Sequence, residues 1–175
     1  MYKVYLSPST QDKSFGVGDF GTEEYRMNQI ADEIEKRLLE SGEFIVFRNK
    51  PNMTKKEIVE ESNSLKMDIH IAVHSNYGKA QGSECFVKVG DERSNGIAKE
   101  IYKNIMKIYY DKSIDNGLSY NSEIVEIMQV EASSVLVEVG YHDNINDAKW
   151  IVDNIEKIGI AIAEGIKASL KLKVC

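Results

Sequence analysis

A chain of 175 residues, 42% hydrophobic and 29% charged, has the size and composition of one soluble globular domain with a substantial core. A net charge of −6 with a pI near 5.2 excludes the concentrated basic surface that nucleic acid requires, so no nucleic-acid partner is expected. No run reaches the ~18 apolar residues of a membrane span, and the opening MYKVYLSPST lacks the charged-then-apolar order of a signal peptide.

In chain order, residues 2–7 (YKVYLS) read as a short strand stopped by Pro8, with a Gly-, Ser- and Asp-rich loop after it. Thr22 can cap a helix to about Glu40, with Met27, Ile30, Ala31, Ile34 and Leu38 as its apolar stripe and Ser41-Gly42 as its end. EFIVFR (43–48) reads as a strand, and Thr54 caps a second helix to about Leu65. DIHIAVH (68–74) and SECFVKV (83–89) follow as strands without a crossover helix between them. A helix is predicted over about 94–110, then loop over 111–122, a strand at EIVEIM (123–128) and a strongly apolar strand at SSVLVEVG (133–140). Residues 145–171 form one broken helix or two successive ones.

Alternating strands and helices, with several strands apolar on both faces, predict an α/β fold. The expected form is a single-domain three-layer αβα sandwich, spanning 1–175, around a mixed, mostly parallel central sheet. Lys55-Lys56 and the tail lysines Lys167, Lys171 and Lys173 are the nearest thing to basic clusters and read as solvated surface. Cys85, in the apolar run ECFVKV, reads as a buried inert thiol. Cys175 is far away in sequence and no Cys-x-x-Cys pair exists, so any metal must take His, carboxylate or other oxygen ligands.

Two of the three histidines stand four apart in DIHIAVHSN. On a helix they would share a metal. The β-branched run reads as a strand, where four residues span about 13 Å at ~3.3 Å each, far beyond two zinc–nitrogen bonds of ~2.1 Å. His70 therefore reads as a packed core histidine. His74 ends its strand, where sites form in open α/β sheets. Glu138 interrupts Val135-Leu-Val-Glu-Val139, also near a strand end, and a carboxylate there is costly without a partner; it is read as a carboxylate poised beside a metal-bound water. Glu23 and Glu24 both lie at the edges of the apolar stripe of their helix, and periodicity does not choose between them.

Three segments in order, GTEEYRMNQIA, IAVHSNYG and VLVEVGYHDN, resemble the zinc-dependent N-acetylmuramoyl-L-alanine amidases, peptidoglycan hydrolases of the autolysin and phage-endolysin kind. The resemblance spans nearly the whole chain. It implies one zinc ion, with Glu24 (four before Asn28) and His74 as ligands and Glu138 as catalytic base and acid. Family members usually carry a Gly-His pair after the first strand, where this chain reads Leu6-Ser-Pro-Ser-Thr-Gln11. His142 is the first choice to replace that ligand, and Gln11, a weaker amide donor, the second. Asn76 is a candidate substrate contact.

The resemblance implies attack by a zinc-activated water on the lactyl–L-alanine amide, with Glu138 taking the water's proton and passing it to the alanine nitrogen. Bacterial peptidoglycan is the expected partner and a monomer the expected state. The protein is expected to be made in the cytoplasm and to reach the wall through a holin or cell lysis. The alternatives are a zinc peptidase of similar fold and a metal-free domain that binds cell wall. A nucleotide-binding domain fares poorly, because SFGVGDFG lacks the Gly-x-Gly-x-x-Gly register.

Overall fold

The computed structural model describes residues 1–171; the tail positions Lys173 and Cys175 lie outside them. Among the described residues, twelve elements occur in the order β1 (Tyr2–Pro8), α1 (Glu23–Glu40), β2 (Phe44–Arg48), α2 (Lys55–Ser64), β3 (Ile69–Asn76), β4 (Glu84–Val87), α3 (Glu92–Ile108), β5 (Leu118–Tyr120), α4 (Val125–Met128), β6 (Ser133–Tyr141), α5 (Ile145–Asp153) and α6 (Ile155–Lys171). The six strands form one sheet in the order β2-β1-β3-β6-β4-β5. β2, β1, β3 and β6 run parallel, β4 runs antiparallel to β6, and β5 pairs parallel to β4. The mixed, mostly parallel sheet expected from the missing crossover between β3 and β4 is present. Among the described residues no helix is long and apolar enough to cross a membrane.

Period-two alternation divides the strands into two unlike faces. Val4, Leu6, Ile69, Ile71, Val73, Val135, Val137 and Val139 all belong to the main core, together with side chains of α1, α3 and α6. The opposite face carries Tyr5, His70, Ala72, His74, Leu136 and Glu138, and is covered in part by small clusters around Ile58 and Ile127 from α2 and α4. The apolar face carries the hydrophobic stabilisation. The polar face carries the site at the carboxyl ends of β3 and β6, beyond the cover of α2 and α4, where His74 is 7% exposed.

Two elements differ from the expectation. EIVEIM is not a strand: Val125–Met128 form a short helix. The Asn121 side chain accepts from the backbone N–H groups of Glu123 and Ile124 and starts the turn. Ile124 and Ile127, three apart, then reach the same small cluster on the sheet. Within 111–122, read as loop, Leu118–Tyr120 pair with β4 as β5. The two caps are as expected, since Thr22 accepts from Tyr25 N–H at 3.2 Å and Thr54 forms a capping box with Glu57.

Candidate active site

His74 and Glu138 are direct partners in the parallel β3–β6 ladder. Their side chains rise from the same face at the carboxyl end of the sheet. The neighbour of Glu138 on its other side is Glu84, its partner in the antiparallel β4–β6 ladder. Three polar side chains thus stand in a row across three strands. Nothing in the local sequence marks Glu84; only the register of a reversed strand places it here.

The carboxylate that meets His74 is Glu23. His74 Nδ1 lies 2.9 Å from Glu23 Oε1, with both side chains almost wholly buried. The same oxygen accepts the Ser75 backbone N–H at 3.4 Å. Thr22, extended at the N-cap, turns the chain so that the first helical residue faces β3, and the Glu23 N–H is fixed by Ser14 O at 2.8 Å. Glu24, the expected ligand, points elsewhere: with Thr10, Asp12, Pro51, Asn52 and Met53 it lines a polar cleft of about 290 Å³. The Glu–Asn spacing that favoured it has a structural basis, because Asn28 Nδ2 donates to Glu24 O at 2.8 Å while Asn28 Oδ1 accepts from Arg48 at 2.6 Å.

The electrostatics of the three groups are coupled. Burial pushes the Glu138 carboxyl up to about 7; His74 opposes this, and the charges of Glu23 and Glu84 add to it. Glu138 Oε2 is buried and accepts no hydrogen bond from the described residues. For His74, burial alone would favour the neutral ring, but the Glu23 hydrogen bond and the nearby carboxylates outweigh it and raise its pKa. Burial likewise works against charge on Glu23, and its hydrogen bonds to His74, Ser9 and Ser75 bring it below the usual carboxylate range. The three thus comprise an ion-paired His74–Glu23 unit and a carboxyl that exchanges its proton near neutrality.

His142 is fully buried and is not aimed at the pair. Its Nε2 lies 3.1 Å from Ser14 Oγ, and its Nδ1 lies 2.9 Å from both Ser75 Oγ and Ser75 O. Gln11 is exposed, and its carbonyl accepts from Ser14 and Glu24. Asn76 accepts from Tyr77 N–H through its side chain at 2.8 Å. Among the described residues no group of three or more His, Cys, Asp or Glu side chains could hold a metal. Catalytic zinc takes three protein ligands. Glu23 and His74 supply two, Ser9 and Thr10 offer only hydroxyls at the end of β1, and both nitrogens of His142 are engaged. The donor set does not fit a zinc site.

His70 has the packed role expected of it. Its Nε2 lies 3.0 Å from Glu126 and its Nδ1 3.1 Å from Ser62, with Tyr5 stacked on the ring at 5.2 Å. Cys85 is fully buried, and burial pushes its thiol far up, as expected of an inert cysteine.

A family model described as N-acetylmuramoyl-L-alanine amidase matches residues 4–168. No curated protein matches the chain. Solved structures match throughout. The catalytic domain of CwlV from Bacillus (Paenibacillus) polymyxa var. colistinus, an N-acetylmuramoyl-L-alanine amidase, has a TM-score of 0.85 at 19% identity, covering 99% of this chain and 100% of that one. The CwlD amidase of Clostridioides difficile, solved in complex with the GerS lipoprotein, gives 0.85 at 18%, covering 99% and 100%. The catalytic domain of the CD27L endolysin, which targets Clostridia difficile, gives 0.78 at 16%, covering 96% and 98%. At such identities these likenesses establish the fold.

Proposed function

This chain belongs to the N-acetylmuramoyl-L-alanine amidase family, and we propose that it hydrolyses the amide between N-acetylmuramic acid and L-alanine in bacterial peptidoglycan. The observation that carries this reading is the facing of Glu138, a carboxyl whose pKa is pushed up to about 7, and the Glu23-bound imidazole of His74. A base effective at neutral pH has a pKa near the operating pH.

Zinc is the cofactor the resemblance implies, but the two strong donors here do not make the three that catalytic zinc takes. The chemistry is therefore written through the chain's own groups. Ionised Glu138 takes a proton from water as the oxygen attacks the carbonyl carbon. His74 gives its Nδ1–H to Glu23 and makes no Nε2 hydrogen bond to a described residue. In its charged form it offers Nε2–H to the negative charge that develops on the carbonyl oxygen. Glu138 then delivers its proton to the alanine nitrogen, and the carbon–nitrogen bond breaks. The Glu23 charge keeps the imidazole protonated and oriented, as a buried acid does beneath a catalytic histidine.

A second reading, a domain that binds wall without turnover, draws on the same incomplete donor set. Product analysis separates the two. Incubation with purified walls should release free lactyl carboxylates and new N-terminal alanine at equal rates. Walls that bind the protein yet yield neither product would favour the binding domain.

A further inference from the structure

Near the pair, one buried histidine has both nitrogens engaged by protein. His142 sits where three segments meet: the loop between β1 and α1, the end of β3 and the end of β6. Its backbone N–H donates to Asn76 O at 3.0 Å and its carbonyl accepts from Val17 at 2.9 Å. Phe20 stacks on the ring at 5.5 Å, with Tyr77 tilted against it at 5.8 Å. The loop passes so close that a Cβ at Gly16 would stand 2.7 Å from His142 O.

The partners fix the tautomer. A carbonyl oxygen has no proton to give, so the 2.9 Å contact with Ser75 O requires Nδ1 to carry the hydrogen. In the neutral ring Nε2 then holds the lone pair, and Ser14 Oγ–H donates to it. Both arms continue to one residue. Ser14 O accepts the Glu23 backbone N–H at 2.8 Å. Ser75 N–H reaches Glu23 Oε1 at 3.4 Å, the oxygen that receives His74.

We infer that His142 is a positioning residue: its ring braces Glu23 from two sides, through the backbone by way of Ser14 and through the carboxylate by way of Ser75, and so holds the Glu23–His74 pair in register. Its role in turnover rests on the amidase reading above, whereas the brace itself rests on geometry alone. Without the ring, the side-chain links from Ser14 and Ser75 are lost, only the backbone bond from Val17 still ties this part of the loop to the end of β6, and Glu23 is held less firmly. A displacement of ~1 Å in a catalytic group is enough to cost about 10²-fold in rate.

The test uses the full chain and the variants Ser14→Ala, His142→Ala and His142→Asn, whose amide nitrogen falls near the place of Nδ1. The readouts are the His74 Nδ1–H resonance by ¹⁵N-resolved NMR, and kcat and KM on a soluble muramoyl peptide. The expected result has three parts. Wild-type His142 shows the Nδ1–H tautomer. Ser14→Ala and His142→Ala weaken the His74 resonance and lower kcat by about tenfold or more, with KM within about twofold. His142→Asn recovers part of the loss. An Nε2–H tautomer, or a folded His142→Ala with unchanged kcat and His74 resonance, would overturn the inference. Should His142→Ala fail to fold, Ser14→Ala, which removes one hydroxyl at a half-buried position, decides by the same readouts. A wild type inert on muramoyl peptide, with the His74 resonance still moved in the variants, would end the amidase reading and leave the brace standing.

Discussion

Glu23 Oε1 and His74 Nδ1 lie 2.9 Å apart although 51 positions separate them in the chain. The first residue of a helix and the end of a central strand are thus joined by one buried charged contact. Glu24, adjacent in sequence, opens onto a separate cleft.

The two glutamates should therefore respond differently to substitution. Glu23→Gln keeps shape but removes the charge that holds the imidazolium, and a loss of about 10²-fold or more in kcat is expected. Glu24→Gln should stay within a few-fold of wild type. Equal losses in both, measured as lactyl carboxylate release, would refute this assignment.

Glu138→Gln should abolish turnover and yet stabilise the protein at alkaline pH. Because the folded pKa of Glu138 is raised, from 4.5 to about 7, its contribution to stability is complete below about 4.5 and lost as pH rises through about 7. That loss is on the order of 3 kcal/mol, and the glutamine variant escapes it. Thermal melts at pH 4 and pH 9 check this: the variant should gain on wild type only at the higher value.

The rate should run opposite to that stability. Glu138 must be ionised to take a proton, so kcat/KM rises with pH through about 7. The raised pKa of His74 places a falling limb above its ordinary 6.5, where the imidazolium is lost. A flat profile between pH 5 and 9 would leave no place for either group as an acid or base.

Two strong donors predict weak zinc binding. Protein dialysed against metal-free buffer should carry well under one equivalent, and a chelator should leave its rate unchanged. Full stoichiometry with chelator-sensitive turnover would mean that a third donor joins Glu23 and His74.

Removing Glu126 should be costly far from the rim. Glu126→Ala leaves His70 Nε2 without its partner in a fully buried place, for which up to about 3 kcal/mol is expected. In a chain of this size that lowers Tm by about 10 °C. A shift below about 3 °C would show that the pair matters little to stability.

Much of this arrangement is legible in the sequence because strands announce their faces. Alternation in DIHIAVH separates apolar from polar positions, and the interruption by Glu138 is visible as a charge in an apolar run. Their ends mark the rim on topological grounds. Three features are not legible, each for a physical reason. Choosing Glu23 over Glu24 depends on the direction in which the N-cap turns, a matter of backbone angle that helical periodicity does not contain. The engagement of His142 depends on Ser14 and Ser75, hydroxyls that look like ordinary loop residues until three segments converge. EIVEIM has strand-like composition, and tertiary contact with Ala72 and Leu136 overrides that propensity.

The reversal of β4 has an effect beyond strand order. In a wholly parallel sheet, the edge bearing the chemistry receives only strand exits, and every strand entrance lies on the far side of the molecule. Running β4 backwards, and β5 with it, brings entrances to that edge, so the approach from residue 77 to residue 83 feeds directly into the working rim. Lengthening or recolouring that approach would remodel the rim beside His74 and Glu138 without disturbing any crossover helix, which leaves such a chain free to change what it accepts at little structural cost.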